Sequence, residues 1–192
     1  QVRQVNGQTG IVETSEGDVS AGTVVVAAGW RSAALARVAT GGGVRGQAAL
    51  LVAEAPETMP VIQMPQLYIV GQAGGRIAIG STSETEWSED GPDTLLDAVI
   101  DRARAVCPAL GTAQVAERWS GIRPRPAGRD PSVGWVPGQP RLYLASGGYK
   151  IGLGIAHLVG KGAVAEIARR ETLHPIPQDF RPTIPEPGAS GN

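Results

Sequence analysis

A chain of 192 residues, 42% of them hydrophobic, is long enough for one globular core and part of a second domain. Its 17 basic and 18 acidic residues, net charge -1, give no electrostatic footprint for nucleic acid and no basic cluster for a membrane surface. Every apolar run is broken by Gly, Pro or a charge well short of the roughly 18 residues that a spanning helix needs, so the expectation is a soluble, cytoplasmic protein with no membrane span.

The chain starts at Gln1 without a charged-then-apolar leader, as though inside a domain. Val2 to Val26 reads as three short strands, with turns at Asn6-Gly7 and Glu16-Gly17-Asp18. The third, TVVVAA over Thr23 to Ala28, is apolar without alternation and stops at Gly29, as expected of a strand buried on both faces of a parallel sheet. A turn and a helix from about Ser32 follow, with Leu35 and Val38 turned inward.

From Val44 to Ile79 the pattern returns to strands, VRGQAALLVA, QLYIV and RIAIG, read as antiparallel with Gly74-Gly75 as a tight turn. Between Pro92 and Pro108, Leu95, Leu96, Val99, Ile100, Ala103 and Val106 share one face at helical spacing and would cover the sheet. Ala113 to Ser120 reads as a strand. Arg141 to Ala145 reads as a second buried strand, stopping at Ser146-Gly147-Gly148 much as the earlier one stops at Gly29. After Gly152, Ile155, Leu158, Val159, Ala163, Val164 and Ile167 recur at helical spacing. From His174 the sequence is rich in proline and reads as an extended or disordered tail.

The single cysteine, Cys107, ends the apolar face of a helix just before Pro108 and reads as packing. With His157 inside the last helix and His174 in the tail, no His, Cys and carboxylate set has metal-site spacing, so no metal and no Ser-His-Asp triad are expected.

Three features carry candidate chemistry. Arg123, in SGIRP, is kept out of helix by Pro124 and leaves a strand in extended chain. It could grip a carboxylate through its two-pronged fork, or sit at the surface paired with an acid such as Asp130; Arg125 and Arg129 are rivals for an anion, and spacing does not separate them. Gly147, Gly148, Gly152 and Gly154 surround Lys150 where a strand gives way to a helix, a junction that lets backbone N–H groups approach a ligand or is a plain turn. Tyr68 offers a phenol, or is ordinary core or rim. No GxGxxG fingerprint occurs in the chain.

In their order and intervals, TVVVAAGW, VRGQ, LYIV, RIAIGST, WSGIRPRPAGRDPSVGWVPG and LYLASGGYKIGLGIAH resemble the FAD-dependent amine and D-amino-acid oxidase family, glycine oxidase type. The resemblance covers about Val2 to Arg170. It implies a mixed α/β (α+β) fold in which the C-terminal part of a discontinuous FAD-binding domain joins an antiparallel-sheet substrate domain. The segments would be 1–40 (partial FAD domain), 41–140 (substrate domain), 141–172 (return of the FAD domain) and 173–192 (Pro-rich tail). The family's opening βαβ unit with GxGxxG has no counterpart here, so the chain looks like the C-terminal half of a longer enzyme, and alone is expected to be colourless and inactive.

Residue by residue, the resemblance makes Arg123 the clamp on the substrate carboxylate and Tyr68 the phenol supporting it. Lys150 stands where glycine oxidases often carry an arginine, a point charge in place of a fork, which leaves glycine open as the substrate. The stretch Gly148, Tyr149, Lys150, Ile151, Gly152, Leu153 and Gly154 would line the flavin ring. Ala28, Gly29 and Trp30 would meet the nucleotide half, and Val2 the adenine. Ser83 falls where some members place a bulkier apolar residue over the flavin, which implies a roomier or more polar pocket. The implied reaction oxidises a small amino acid (glycine, sarcosine or a D-amino acid) at the carbon beside its carboxylate, giving an imine and passing electrons to oxygen or another acceptor. Lys150 could aid reoxidation by oxygen. A D-amino-acid or opine-type dehydrogenase, a flavin-free truncated domain and a homo-oligomer stay open.

Overall fold

The computed structural model describes residues 1–53, 59–128 and 130–185. The chain divides into two compact units, Gln1–Gly43 with Arg123–Asn192, and Val44–Ile122. Residues 123–140, grouped with the middle segment in the sequence reading, cluster with the first unit.

The first unit opens with an antiparallel meander of β1 (Val2–Asn6), β2 (Ile11–Thr14) and β3 (Gly17–Ser20). Asn6 Oδ1 accepts the amides of Gln8 and Thr9 at 3.0 and 3.1 Å, closing the first turn. Four strands stand where three were expected, because Gly17, at φ 117°, starts a strand of its own. The fourth, β4 (Val24–Val26), is only three residues long. Val26 is buried, but Val25 is 48% exposed, so the unbroken apolar run does not translate into burial on both faces among the described residues. A 3-10 turn over Gly29–Arg31 leads into α1 (Ser32–Ala36), which Arg37 ends in the left-handed conformation after five residues.

The second unit is built on a five-stranded sheet formed by β5 (Thr40–Val52), β6 (Ile62–Met64), β7 (Leu67–Gln72), β8 (Arg76–Gly80) and, after α2 (Leu95–Val106), β9 (Gln114–Pro126), in the order β6-β7-β8-β5-β9. The pairings β5–β8, β6–β7 and β7–β8 are antiparallel, as the alternation predicts. Gly74 and Gly75 make the β7–β8 turn with φ of 73° and 68°. Strand β6, too short to show a period in the sequence, is three residues joined to β7 by Pro65 and Gln66, the latter at φ 60°.

Helix α2 packs Leu96, Ile100 and Ala103 onto Ala49, Leu51, Leu67, Ile69, Ile77 and Ile79. Burying the leucine and isoleucine contributes roughly 1.5–3 kcal/mol each. Leu95 and Val106, expected on this face, are 53% and 37% exposed. A stripe centred on 96, 100 and 103 cannot also include 95, which lies about 100° around the helix from 96. Cys107 is half-buried against the same cluster.

The chain returns to the first unit with β10 (Ser132–Trp135), β11 (Leu142–Ser146) and α3 (Gly152–Ile167). Strand β11 is central: it pairs parallel with β4, Leu142 opposite Val24 and Leu144 opposite Val26, and antiparallel with β10. In β10, Trp135 stacks edge-on against Tyr143 at 5.3 Å. Helix α3 buries Gly162, Ala163 and Ala165. Leu158 and Val164, expected inward, are 38% and 64% exposed, because the helix packs through its small residues.

From His174 the chain makes a 3-10 turn over Gln178–Phe180 and buries Ile176 and Pro182. Ile176 is buried with Val133, Tyr143 and Ala163, and Thr183 O accepts the Ala39 amide at 2.8 Å. The expected disorder does not apply to residues 174–185, and 186–192 lie outside the described residues. No helix among the described residues is long and apolar enough to cross a membrane. The result is a mixed α/β fold with antiparallel sheets and one parallel strand pair.

Candidate active site

The parallel pair β4 and β11 delivers two loops to one edge of their sheet, at the carboxyl ends of the strands, where open α/β sheets bind ligands. After β4 come Ala28, Gly29 and Trp30; after β11 come Gly147 to Gly154. Ser146 Oγ donates to Gly29 O at 3.0 Å and ties the two loops together. The Ala28 amide donates to Ser32 Oγ at 2.8 Å, while Gly29 turns the chain at φ 59°. The Trp30 ring lies 5.1 Å from the Arg31 guanidinium carbon.

The second loop needs its glycines. Gly147 sits at φ 79°, and a Cβ on Gly148 would lie 2.7 Å from Gly152 Cα, so the backbone folds closely on itself. Tyr149 takes φ 40°, and the Ile151 amide donates to Gly148 O at 2.8 Å just before α3 begins. No side chain caps α3, its first turn has no acid, and a Cβ at Gly152 or Gly154 would meet nothing within 4 Å. Open N–H groups at the positive end of a 16-residue helix favour a carbonyl edge or an anion. Ile151 is 54% exposed and Leu153 is 99% exposed, so apolar side chains flank those amides. Lys150 is exposed, its Nζ 5.5 Å from the Tyr149 ring centroid.

In the first unit, Arg123 is half-buried in β9. Its rival Arg125 is engaged with the main chain, donating from Nε to Gly41 O at 2.7 Å. Arg129 lies outside the described residues. Val2, 43% exposed at the start of β1, pairs with Thr14. In the second unit, Tyr68 is 45% exposed on β7, on the sheet face opposite α2. Gln63 Nε2 donates to its hydroxyl at 3.3 Å. That contact is absent from the sequence reading; the two-residue turn at Pro65-Gln66 was its signal, since such a turn sets position 63 opposite 68.

The shifted ionisable groups belong to two networks. In the first unit, Arg181 forks onto Glu166 at 2.7 and 2.8 Å, and Tyr143 donates to the same carboxylate at 2.8 Å. The Arg181 hydrogen bond holds Glu166 below the usual glutamate range against burial, while burial and then Glu166 push the Tyr143 phenol up. In the second unit, the Gln47 hydrogen bond, then the Leu95 amide and Arg45, hold Asp93 low, with burial opposing. Among the described residues no three His, Cys, Asp or Glu side chains could hold a metal ion.

Residues 1–167 match the family model of the FAD dependent oxidoreductases. The chain belongs to that family. FAD-dependent oxidoreductase relatives include the glycine oxidase of Bacillus subtilis, 27% identical over 81% of this chain and 43% of that protein. The bifunctional protein ThiO/ThiG of Synechocystis is 28% identical over 94% of this chain and 28% of its own length. The crystal structure of glycine oxidase from Geobacillus kaustophilus superposes with a TM-score of 0.85 at 26% identity, over 95% of this chain and 51% of that one. The chain thus spans about half the length, or less, of these relatives. FAD is the cofactor of the family, and the paired loops suit it: a glycine-lined, apolar surface with a helix start fits a flat ring bearing a carbonyl edge.

Proposed function

We propose that this chain contributes to a FAD-dependent oxidative deamination of a small amino acid, glycine, sarcosine or a D-amino acid, to an imine and then a 2-oxo acid, with oxygen reduced to hydrogen peroxide. The observation that carries the reading is the convergence of Ala28–Trp30 with Gly147–Gly154 beside an uncapped helix start. The glycine oxidases among its relatives support the substrate class.

In this reading Ala28, Gly29, Trp30 and the stretch from Gly148 to Gly154 hold FAD, with Val2 toward its adenine, and the start of α3 stabilises negative charge on the ring. Bound FAD supplies the two-electron oxidant. Arg123 binds the substrate carboxylate through paired charge-assisted hydrogen bonds, and its remaining rival among the described residues, Arg125, already serves Gly41 O. Tyr68 donates its phenolic proton to the same carboxylate. Lys150 adds positive charge. The chain's contribution is chiefly positioning, so an amine that binds unprotonated needs no base from these residues.

The test is a peroxide assay of the FAD-loaded enzyme over glycine, sarcosine and a set of D-amino acids. The expected result is peroxide formed in step with substrate loss for at least one of them. Dye reduction without peroxide would assign a dehydrogenase instead, and a full-length enzyme containing this chain that takes up no FAD, read by its blue and near-ultraviolet absorbance, would overturn the proposal.

A further inference from the structure

Across the second unit's sheet, one row of directly opposed residues runs from Gln63 through Tyr68 and Gly80 to Ala48. It lies on the face opposite α2, since Leu67 and Ile69, on either side of Tyr68 in sequence, point into the buried cluster with Leu96 and Ile100. The row is asymmetric about the ring. On one side stands a carboxamide, and on the other are Gly80, without a side chain, and Ala48, whose Cβ would lie 3.2 Å from any Cβ placed on Gly80.

The direction of the Gln63–Tyr68 hydrogen bond matters. A phenol oxygen can accept and donate at once. Gln63 Nε2 donates to it at 3.3 Å, so the bond occupies an acceptor site and leaves the O–H free to donate elsewhere. Accepting a bond also polarises the O–H and makes it a stronger donor. A phenol whose task is to donate to a carboxylate gains on both counts, and with Tyr68 45% exposed its hydroxyl is within a ligand's reach.

We infer that Gln63 is a positioning residue for substrate binding: it acts through Tyr68, fixing the phenol as a donor toward the carboxylate. This rests on the role proposed for Tyr68. The register makes the arrangement robust, because the Pro65-Gln66 turn fixes Met64 opposite Leu67 and therefore Gln63 opposite Tyr68. Gln63 is exposed, so its replacement leaves the core untouched.

The experiment uses the FAD-loaded enzyme, with acetate as a carboxylate that cannot be oxidised and its Kd read from the perturbed flavin absorbance. Gln63→Met removes the donor at similar volume. It should raise the acetate Kd and the substrate KM together by roughly 3- to 10-fold, the scale of one neutral hydrogen bond, with kcat within about twofold. Gln63→Glu, which would accept the phenol's proton and repel the carboxylate, should weaken acetate further. In the Tyr68→Phe background Gln63→Met should add nothing, since the two act as one unit. If Tyr68→Phe weakens acetate but Gln63→Met does not, or if Gln63→Met acts equally in both backgrounds, the inference about Gln63 fails and that about Tyr68 stands. If Tyr68→Phe leaves the acetate Kd unchanged, the role of Tyr68 fails and this inference with it.

Discussion

Arg45 and Glu84 are joined three times. Each backbone amide donates to the other residue's carbonyl, at 2.8 and 2.9 Å, and the Arg45 guanidinium meets the Glu84 carboxylate at 3.3 Å. Arg45 is only 2% exposed and also reaches Asp93 at 2.6 Å, while Gln47 bridges Glu84 and Asp93 at 3.1 and 2.9 Å. The network pins residues 82–84 and the start of α2 to β5.

Glu84→Ala takes one of two carboxylates from the buried Arg45 guanidinium, which keeps Asp93 at 2.6 Å. It should therefore destabilise the protein by about 1–3 kcal/mol, read by urea unfolding, whereas replacing Arg45 and Glu84 together by Met should cost clearly less than the two single changes summed. Equal costs would mean that the pair is solvated.

Glu166 sets an acid limit on stability. Its carboxyl titrates below the ordinary range in the folded protein, chiefly through Arg181. The unfolded glutamate titrates near about pH 4.3, so the stabilisation is complete above that value and is lost as pH falls through the lower folded value. Tm should fall below about pH 4, and Arg181→Met should flatten that fall in part. Asp93, also held low, keeps the remainder. A Tm profile unchanged by Arg181→Met would refute the assignment.

Gly162 is where α3 receives the C-terminal segment. A Cβ there would lie 2.6 Å from Ile176 Cδ1 and 2.7 Å from His174 O. Gly162→Ala should cost about 1–3 kcal/mol and expose residues 173–185 to proteases, measured by limited proteolysis alongside Tm.

Gly148 has no room either, its virtual Cβ being 2.7 Å from Gly152 Cα. Gly148→Ala should distort the loop ahead of α3 and weaken FAD binding about tenfold or more, on the scale of overpacking strain. Equilibrium titration with FAD reads it directly.

Long elements with one clear period were legible in the sequence. The β7–β8 hairpin followed from its alternation and two glycines, and α2 from its apolar spacing. Elements made by tertiary contact were not. Strand β10 exists because Trp135 and Tyr143 stack across strands, and β6 because a two-residue turn folds Gln63 back on Tyr68; neither leaves a periodic trace in three or four residues. The prolines after His174 give no sign of the 3-10 turn at Gln178–Phe180 or of Arg181 and Ile176 meeting Glu166 and Gly162, partners remote from local composition. The glycine loop and Arg123 were visible as motifs. The Arg45 network was not, since its partners Glu84 and Asp93 lie far along the chain, beyond the reach of any local pattern.

If Arg123 clamps the substrate carboxylate, Arg123→Ala in the full-length, FAD-loaded enzyme should raise KM strongly and lower kcat/KM by about two decades or more, as for removal of a charge-assisted pair, with FAD still bound. An unchanged kcat/KM would contradict it.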